Sequence, residues 1–296
     1  MTVGSPRPLE AKLPTLCELG DDLLGVTAFR RLLTLGAPVA WIAGYFLFAH
    51  EHRWVAAVGC VMGLSFMSYG STSHDLVHHT LGLPSRLNNL LLTLIELLSF
   101  RSGTAYRLSH LHHHRHLLDC EDIEGIAAHG SLASAILSGP GMQLRLWRWA
   151  WRTHRANRPA LFGEAVAIAS LAIAAIAVLR FSWTPFIYAV LVVAGSWTFP
   201  LITVYIPHDA HGESSLARTR LFRGWLPRLI AFDHLYHLEH HLYPSVPHHH
   251  WKTLADRLDP HFERADVRPY VRHCSRPTSA RGASGLAKGE RVFRIL

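Results

Sequence analysis

Residues 55–79 read VAAVGCVMGLSFMSYGSTSHDLVHH. A run without a single charge passes directly into three histidines and an aspartate. About 20 apolar residues are what an α-helix needs to cross a ~30 Å hydrocarbon core. The stretch therefore reads as a membrane helix that delivers imidazoles to one side of the bilayer. Three further runs, 32–49, 163–179 and 184–206, are similar in length and character, and short polar links at 50–54 and 180–183 join the four in pairs. Trp41, Trp54, Trp183 and Tyr205 fall near several of the ends, where amphipathic rings prefer to sit. Only 17% of the residues are charged, against about 25% in soluble domains. That deficit excludes a disordered chain and argues against a cytosolic enzyme. The expected fold is an all-α integral membrane protein, with four transmembrane helices in two hairpins and a helical cap.

Basic residues set the expected orientation. The two links carry only Arg53 and Arg180, whereas Arg7, Lys12, Arg30 and Arg31 precede or open the first run and both long polar segments are rich in arginine. By the positive-inside rule both termini and the cap are cytoplasmic. The chain divides into an N-terminal arm (1–31), a membrane domain with its cap (32–273) and a flexible basic tail (274–296). Two apolar stretches are too short or too polar to span. Residues 87–100 (LNNLLLTLIELLSF) read as an interfacial or re-entrant helix. Residues 144–155 (LRLWRWAWRTHR) suit a helix on an anionic lipid surface, or a plain packing helix. The net charge of +8 points to a membrane surface or an acidic partner and away from nucleic acid. Cys17, Cys60, Cys120 and Cys274 form no CxxC pair, which disfavours a disulfide scaffold or a thiolate site. No cleavable leader is expected, because the first apolar run starts past residue 30.

The 23 histidines ask for a chemical reason, since neither burial nor helix propensity favours the residue. Most form three groups beside the cytoplasmic ends of the spans. His74 and His78 are four apart. His110, His113 and His114 have the i, i+3, i+4 spacing that converges on one helix face, and His237, His240 and His241 repeat it. Neutral imidazole is the commonest metal ligand, and imidazoles without thiolates suit iron or zinc. One zinc takes at most four protein ligands, so eight imidazoles are too many for one ion and enough for two. Haem ligation would need histidine pairs facing each other inside the bundle, whereas these lie at and beyond the helix ends. Metal transport would need polar residues along the spans, which hold almost none beyond Glu164.

The order HDxxHH, HxxHH, then HxxHH followed by LYP resembles the membrane fatty acid desaturase superfamily, which includes acyl desaturases and carotenoid hydroxylases and ketolases. The resemblance runs from about Val55 to Leu258. It implies two iron ions as cofactor, O2 as co-substrate and hydrogen abstraction from an unactivated C–H bond. The implied ligands are His74 and His78, with His79 completing the doublet; His110, His113 and His114; and His237, His240 and His241. Many members carry another histidine just past the last span, a place that His208 occupies here. His211 and His234 are weaker candidates. His112 and His116 point elsewhere on their helix, and His248, His249 and His250 follow a turn and read as surface. Asp75, Asp209 and Glu239 each adjoin a ligand candidate and would either accept the ring's other N–H or serve as caps and solvated charges. The acidic cluster Asp119, Glu121, Asp122 and Glu124 invites the same two readings.

The resemblance further implies an apolar lipid substrate that enters from the bilayer, with acyl desaturation favoured and carotenoid hydroxylation or ketolation as the alternative. No HPGG-type segment is fused to either end, so electrons are expected from a separate ferredoxin, flavoprotein or b-type cytochrome. Box three starts with His237 where front-end desaturases carry Gln. The excess of arginine over lysine leans towards a bacterial inner membrane.

Overall fold

The structure is a computed structural model and describes residues 13–214, 216–224 and 233–269. The first part of the arm and the tail at 274–296 lie outside these residues. No strand occurs among the described residues, which include an isolated bridge between His208 and Thr219.

Among the described residues, four helices are long and apolar enough to cross a membrane. α1 (Ala28–His50) starts earlier than the apolar run because the Thr27 hydroxyl accepts the Arg30 amide at 3.1 Å and caps the helix. Arg31, in its first turn, donates from Nε to the Leu81 carbonyl at 2.8 Å. α2 (Trp54–His78) contains a π-helical stretch, Leu64–Ser73, and its last turn is the first histidine motif itself. The helix ends in a Schellman turn: the amide of Thr80 reaches the Asp75 carbonyl at 3.0 Å, and His79 takes the left-handed conformation at φ 58°.

α3 (Ser85–Leu98) and α4 (Gly103–His116) follow, then α5 (Gly139–Thr153). α6 (Arg158–Ala177) and α7 (Thr184–Tyr205) are the remaining apolar helices. α7 also ends in a π-helical stretch, Pro200–Tyr205. α8 (His237–Leu242) carries the third histidine motif, and α9 (Trp251–Arg264) closes the described chain.

α1 packs on α2, and α7 packs on α2, α1 and α6. Burial separates the four apolar helices into two kinds. The apolar windows of α1 and α6 are each 17% buried, those of α2 and α7 56% and 44%. Phe29, Leu32, Val39 and Leu47 on α1, and Phe162, Val166, Ile173 and Ile176 on α6, stay exposed, as a lipid-facing surface requires. The inner pair bears the π-helical stretches, which are rare and concentrate at functional sites.

Polar residues tie the helices together. Asn88 and Glu96, which suggest an interfacial helix, are buried on the inner face of α3. Asn88 donates to the Leu76 carbonyl at 2.6 Å, and Glu96 accepts from Ser73 at 2.6 Å and from Arg101 at 2.7 Å. Glu164 accepts from Thr93 and Thr104 and is also bonded by Ser102, so it links α6 to α3 and α4. The tryptophans of α5 pack within the protein. Trp147 stacks on Trp151 at 5.2 Å and donates to the Leu161 carbonyl at 3.2 Å. Arg148 between them and Arg152 just after them are exposed.

Candidate metal centre

Each histidine motif is placed by ordinary helix physics. His74 and His78 stack along the last turn of α2. α4 is capped by Ser102, whose hydroxyl accepts the Ala105 amide at 3.0 Å, and it runs uninterrupted through His110, His113 and His114. α8 presents His237, His240 and His241. Trp251, fully buried at the start of α9, holds these motifs against one another: its ring lies 4.8 Å from that of His240 and 5.2 Å from that of His74.

The imidazoles sort into two groups that the motifs do not predict one by one. His74, His78, His110, His114 and His240 form the first, and His113, His208, His237 and His241 the second; in each, one ring nitrogen per residue lies within 4.8 Å of all the others. In the first group four Nε2 atoms make a closed ring. The sides are His74 to His240 at 3.0 Å, His240 to His114 at 2.7 Å, His114 to His110 at 3.2 Å and His110 to His74 at 3.1 Å. Hydrogen bonds cannot satisfy four such sides, because each Nε2 has one proton or one lone pair, never both. The centre of a square with sides of about 3.0 Å lies about 2.1 Å from each corner, which is a metal–imidazole bond length. His78 joins this ring as a fifth donor, with its Nε2 free of any hydrogen-bond partner among the described residues. In the second group the Nε2 of His241 is 3.1 Å from that of His237 and 3.2 Å from that of His208. All nine residues offer nitrogen, a donor set that fits iron or zinc.

Three groups behind the rings fix which nitrogen faces the centre. His113 Nδ1–H donates to Asp122 at 2.7 Å, His110 Nδ1–H to Glu124 at 3.2 Å, and His208 Nδ1–H to the Val204 carbonyl at 2.9 Å. Each bond leaves the Nε2 lone pair free for a metal and strengthens its donation. Asp122 is itself held by the amides of Leu118, Glu124 and Gly125 at 2.9, 3.1 and 2.9 Å. Burial opposes its charge, but His113 and these amides win and hold its carboxyl at about 2. Burial likewise disfavours charge on His113, yet Asp122 outweighs it and raises the ring. Burial, then repulsion among the neighbouring imidazoles, pushes His208, His237, His240 and His241 well below the usual histidine range. Neutral rings are what metal ligation needs.

Several expected site residues stand elsewhere. His79 belongs to neither group: the left-handed turn at its own α-carbon swings it off the helix face, and its Nε2 contacts Arg107. Asp75 meets no imidazole edge; its Oδ1 accepts from Thr80 and from the His248 amide, both at 2.9 Å. Asp209 accepts the His211 amide at 3.0 Å within its own loop. Glu239 is fully buried and pairs with Arg223 at 2.6 Å. A neighbour in sequence points about 100° away around a helix, which turns Asp75 and Glu239 from the ring beside them; Asp209 lies in a loop, where its carboxylate closes on its own chain. The carboxylates that stand behind rings come from the acidic stretch after α4, where the chain doubles back. His112 and His116 lie on the opposite face of α4 beside Glu121. His248, His249 and His250 are half-buried rather than surface residues. His234 is buried against His237, with ring centres 5.0 Å apart, and belongs to neither group.

No curated protein matches the chain. The family model described as fatty acid desaturase matches residues 51–272, a stretch that contains all nine histidines of the two groups. With most of its length so matched, the chain belongs to the fatty acid desaturase family.

Proposed function

We propose that the two groups hold two iron ions and that the protein is an O2-dependent oxidoreductase that desaturates an acyl lipid. The observation that carries this reading is the closed ring of four Nε2 atoms, with a fifth histidine against it and a second four-histidine group beside it. When bound, the iron pair supplies the O2-derived oxidant that an unactivated C–H bond demands and that no side chain provides. Atoms balance when O2, two electrons and two protons convert a CH2–CH2 unit into a double bond and two waters. The electrons come from a separate ferredoxin, flavoprotein or b-type cytochrome.

The chain's own residues prepare the centre. Asp122, Glu124 and the Val204 carbonyl hold three rings in the tautomer that donates from Nε2. Trp251 closes one side of the first group and excludes water there. The arginine distribution supports two hairpins with the histidines and both termini on the cytoplasmic side, and a bacterial inner membrane is the setting that composition favours.

The test is lipid and pigment profiling by mass spectrometry in two bacterial hosts, one ordinary and one that makes β-carotene, each with a His113→Ala control. Acyl products lighter by two hydrogens, lost in the control, are the expected result. Carotenoids that gain oxygen would transfer the assignment to hydroxylation or ketolation. Full activity in the control would overturn the metal assignment.

A further inference from the structure

Two histidines of α4 remain outside both groups. At about 100° per residue, His112 and His116 point away from the face that carries His110, His113 and His114. They are four apart, and their rings stack with centres 4.1 Å apart. Beyond the helix end the chain reverses through Leu118, which takes the left-handed conformation at φ 58°. The reversal brings Glu121 back beside the pair. One ring nitrogen from each histidine and one carboxylate oxygen of Glu121 all lie within 4.8 Å of one another.

The distances match a shared ion better than direct bonds. His116 Nδ1 stands 3.7 Å from Glu121 Oε2, beyond hydrogen-bond length. Two donors on one tetrahedral ion, with bonds of about 2.1 Å, stand about 3.4 Å apart. His112 is held against the same loop, because its Nε2–H donates to the Glu121 carbonyl at 3.0 Å. That tautomer keeps the lone pair on Nδ1. The Trp149 ring, 4.9 Å away, packs on the same imidazole. Both histidines are half-buried and Glu121 is exposed. The rings are thus preset, and the carboxylate is able to move the small distance that closes the set. Water supplies the fourth position. Two imidazoles and one carboxylate, with no thiolate, select a divalent ion of the zinc class over Mg2+ and Ca2+, which take oxygen ligands.

We propose that His112, His116 and Glu121 form a third metal site, which takes a zinc-class divalent cation and fastens the loop behind the two histidine groups. That loop carries Asp122, which orients His113, and Glu124, which orients His110. Asp119 already anchors its near end, by pairing with Arg218 at 2.8 Å. An ion on Glu121 ties down the stretch between Asp119 and Asp122. A metal clip of this kind removes freedom from the segment that it closes. The site itself stands apart from the oxidoreductase reading; only its benefit to an iron centre rests on that reading.

Two measurements on the full chain, purified with its iron and dialysed against micromolar free zinc, test it. In the first, total metal (iron plus zinc) is counted by mass spectrometry. The wild type should hold about one ion per chain more than His116→Ala or Glu121→Ala, and Mg2+ in place of zinc should give no such difference. His237→Ala should lose a different ion, so that the double variant with His116→Ala loses both. Equal totals in the wild type and the two single variants at the third site would overturn the proposal. A drop in His116→Ala with none in His237→Ala would fault the two-group assignment and leave the third site standing.

In the second, hydrogen exchange is followed in the peptide that spans residues 117–126. With zinc, exchange should be about threefold slower in the wild type than in His116→Ala, whose two histidine groups are intact. With a chelator that takes only the zinc, the two should exchange alike. Identical exchange with zinc present would overturn the fastening role.

Discussion

The two histidine groups share helices but differ in construction. The first has five imidazoles, four of them in a closed ring, and is drawn from α2, α4 and α8. The second has four, and one of these, His208, comes from the chain just beyond α7. The strongest supporting carboxylate stands behind the second group. Asp122 is 2.7 Å from His113 and pinned by three amides, whereas Glu124 is 3.2 Å from His110. In the proposed centre, the first group would rely on the number of its imidazoles and the second on how firmly they are held. With four ligands per ion, the first would have one imidazole to spare and the second none.

That contrast can be broken by deletion. His237→Ala leaves three imidazoles in the second group, and iron in the purified protein should fall from about two to about one per chain, with activity lost. His78→Ala leaves four in the first, and iron should stay near two. Equal losses from both variants would remove the distinction. The next largest effect concerns the scaffold behind the first group. Glu96 holds Ser73, one residue before His74, and pairs with the buried Arg101. Glu96→Gln leaves that guanidinium without its counter-charge and should destabilise the fold by about 3–5 kcal/mol, measured by thermal unfolding in detergent.

Smaller effects sharpen the comparison of supports. Asp122→Asn should weaken metal affinity about 10- to 100-fold, read by competition with a chelator, and should exceed the effect of Glu124→Gln. The reverse order would mean that the hydrogen-bond lengths do not rank the two supports. The smallest effect is expected from His79→Ala. Its ring stands outside both groups, so iron content should not change, and loss of its half-buried contact with Arg107 should cost about 0.5–1.5 kcal/mol.

The four apolar helices and the three motifs were legible because each rests on a local rule, length for the spans and helical spacing for the imidazoles. The partition into two groups was not legible. His113 and His114 are adjacent, yet they turn about 100° apart on α4 and serve different groups. The same geometry defeated Asp75 and Glu239, and Asp209 sits in a loop that closes on itself; nearness in sequence says nothing about nearness to a ring edge. Asp122 and Glu124 stand where they do because the chain reverses after α4, and that reversal depends on amides 118, 124 and 125 closing around one carboxylate. Trp251 carries no metal-binding signature at all. Its place at the centre follows from the apolar face that α9 shares with Leu254, Leu258 and Phe262.

The π-helical stretches at Leu64–Ser73 and Pro200–Tyr205 lie directly upstream of His74 and His208. A helix is also a clock, in which every residue advances the next side chain by about 100°. A wider turn resets that clock, so the angular phase at which His74 and His78 arrive is set ten residues earlier, in the middle of the membrane. Removing one residue from either stretch would leave an uncharged, apolar helix of nearly the same length. It would also rotate the histidines that follow by about a quarter turn. In these two places a single-residue gap should therefore cost more than most substitutions, because it changes the direction of the ligands and leaves their identity intact.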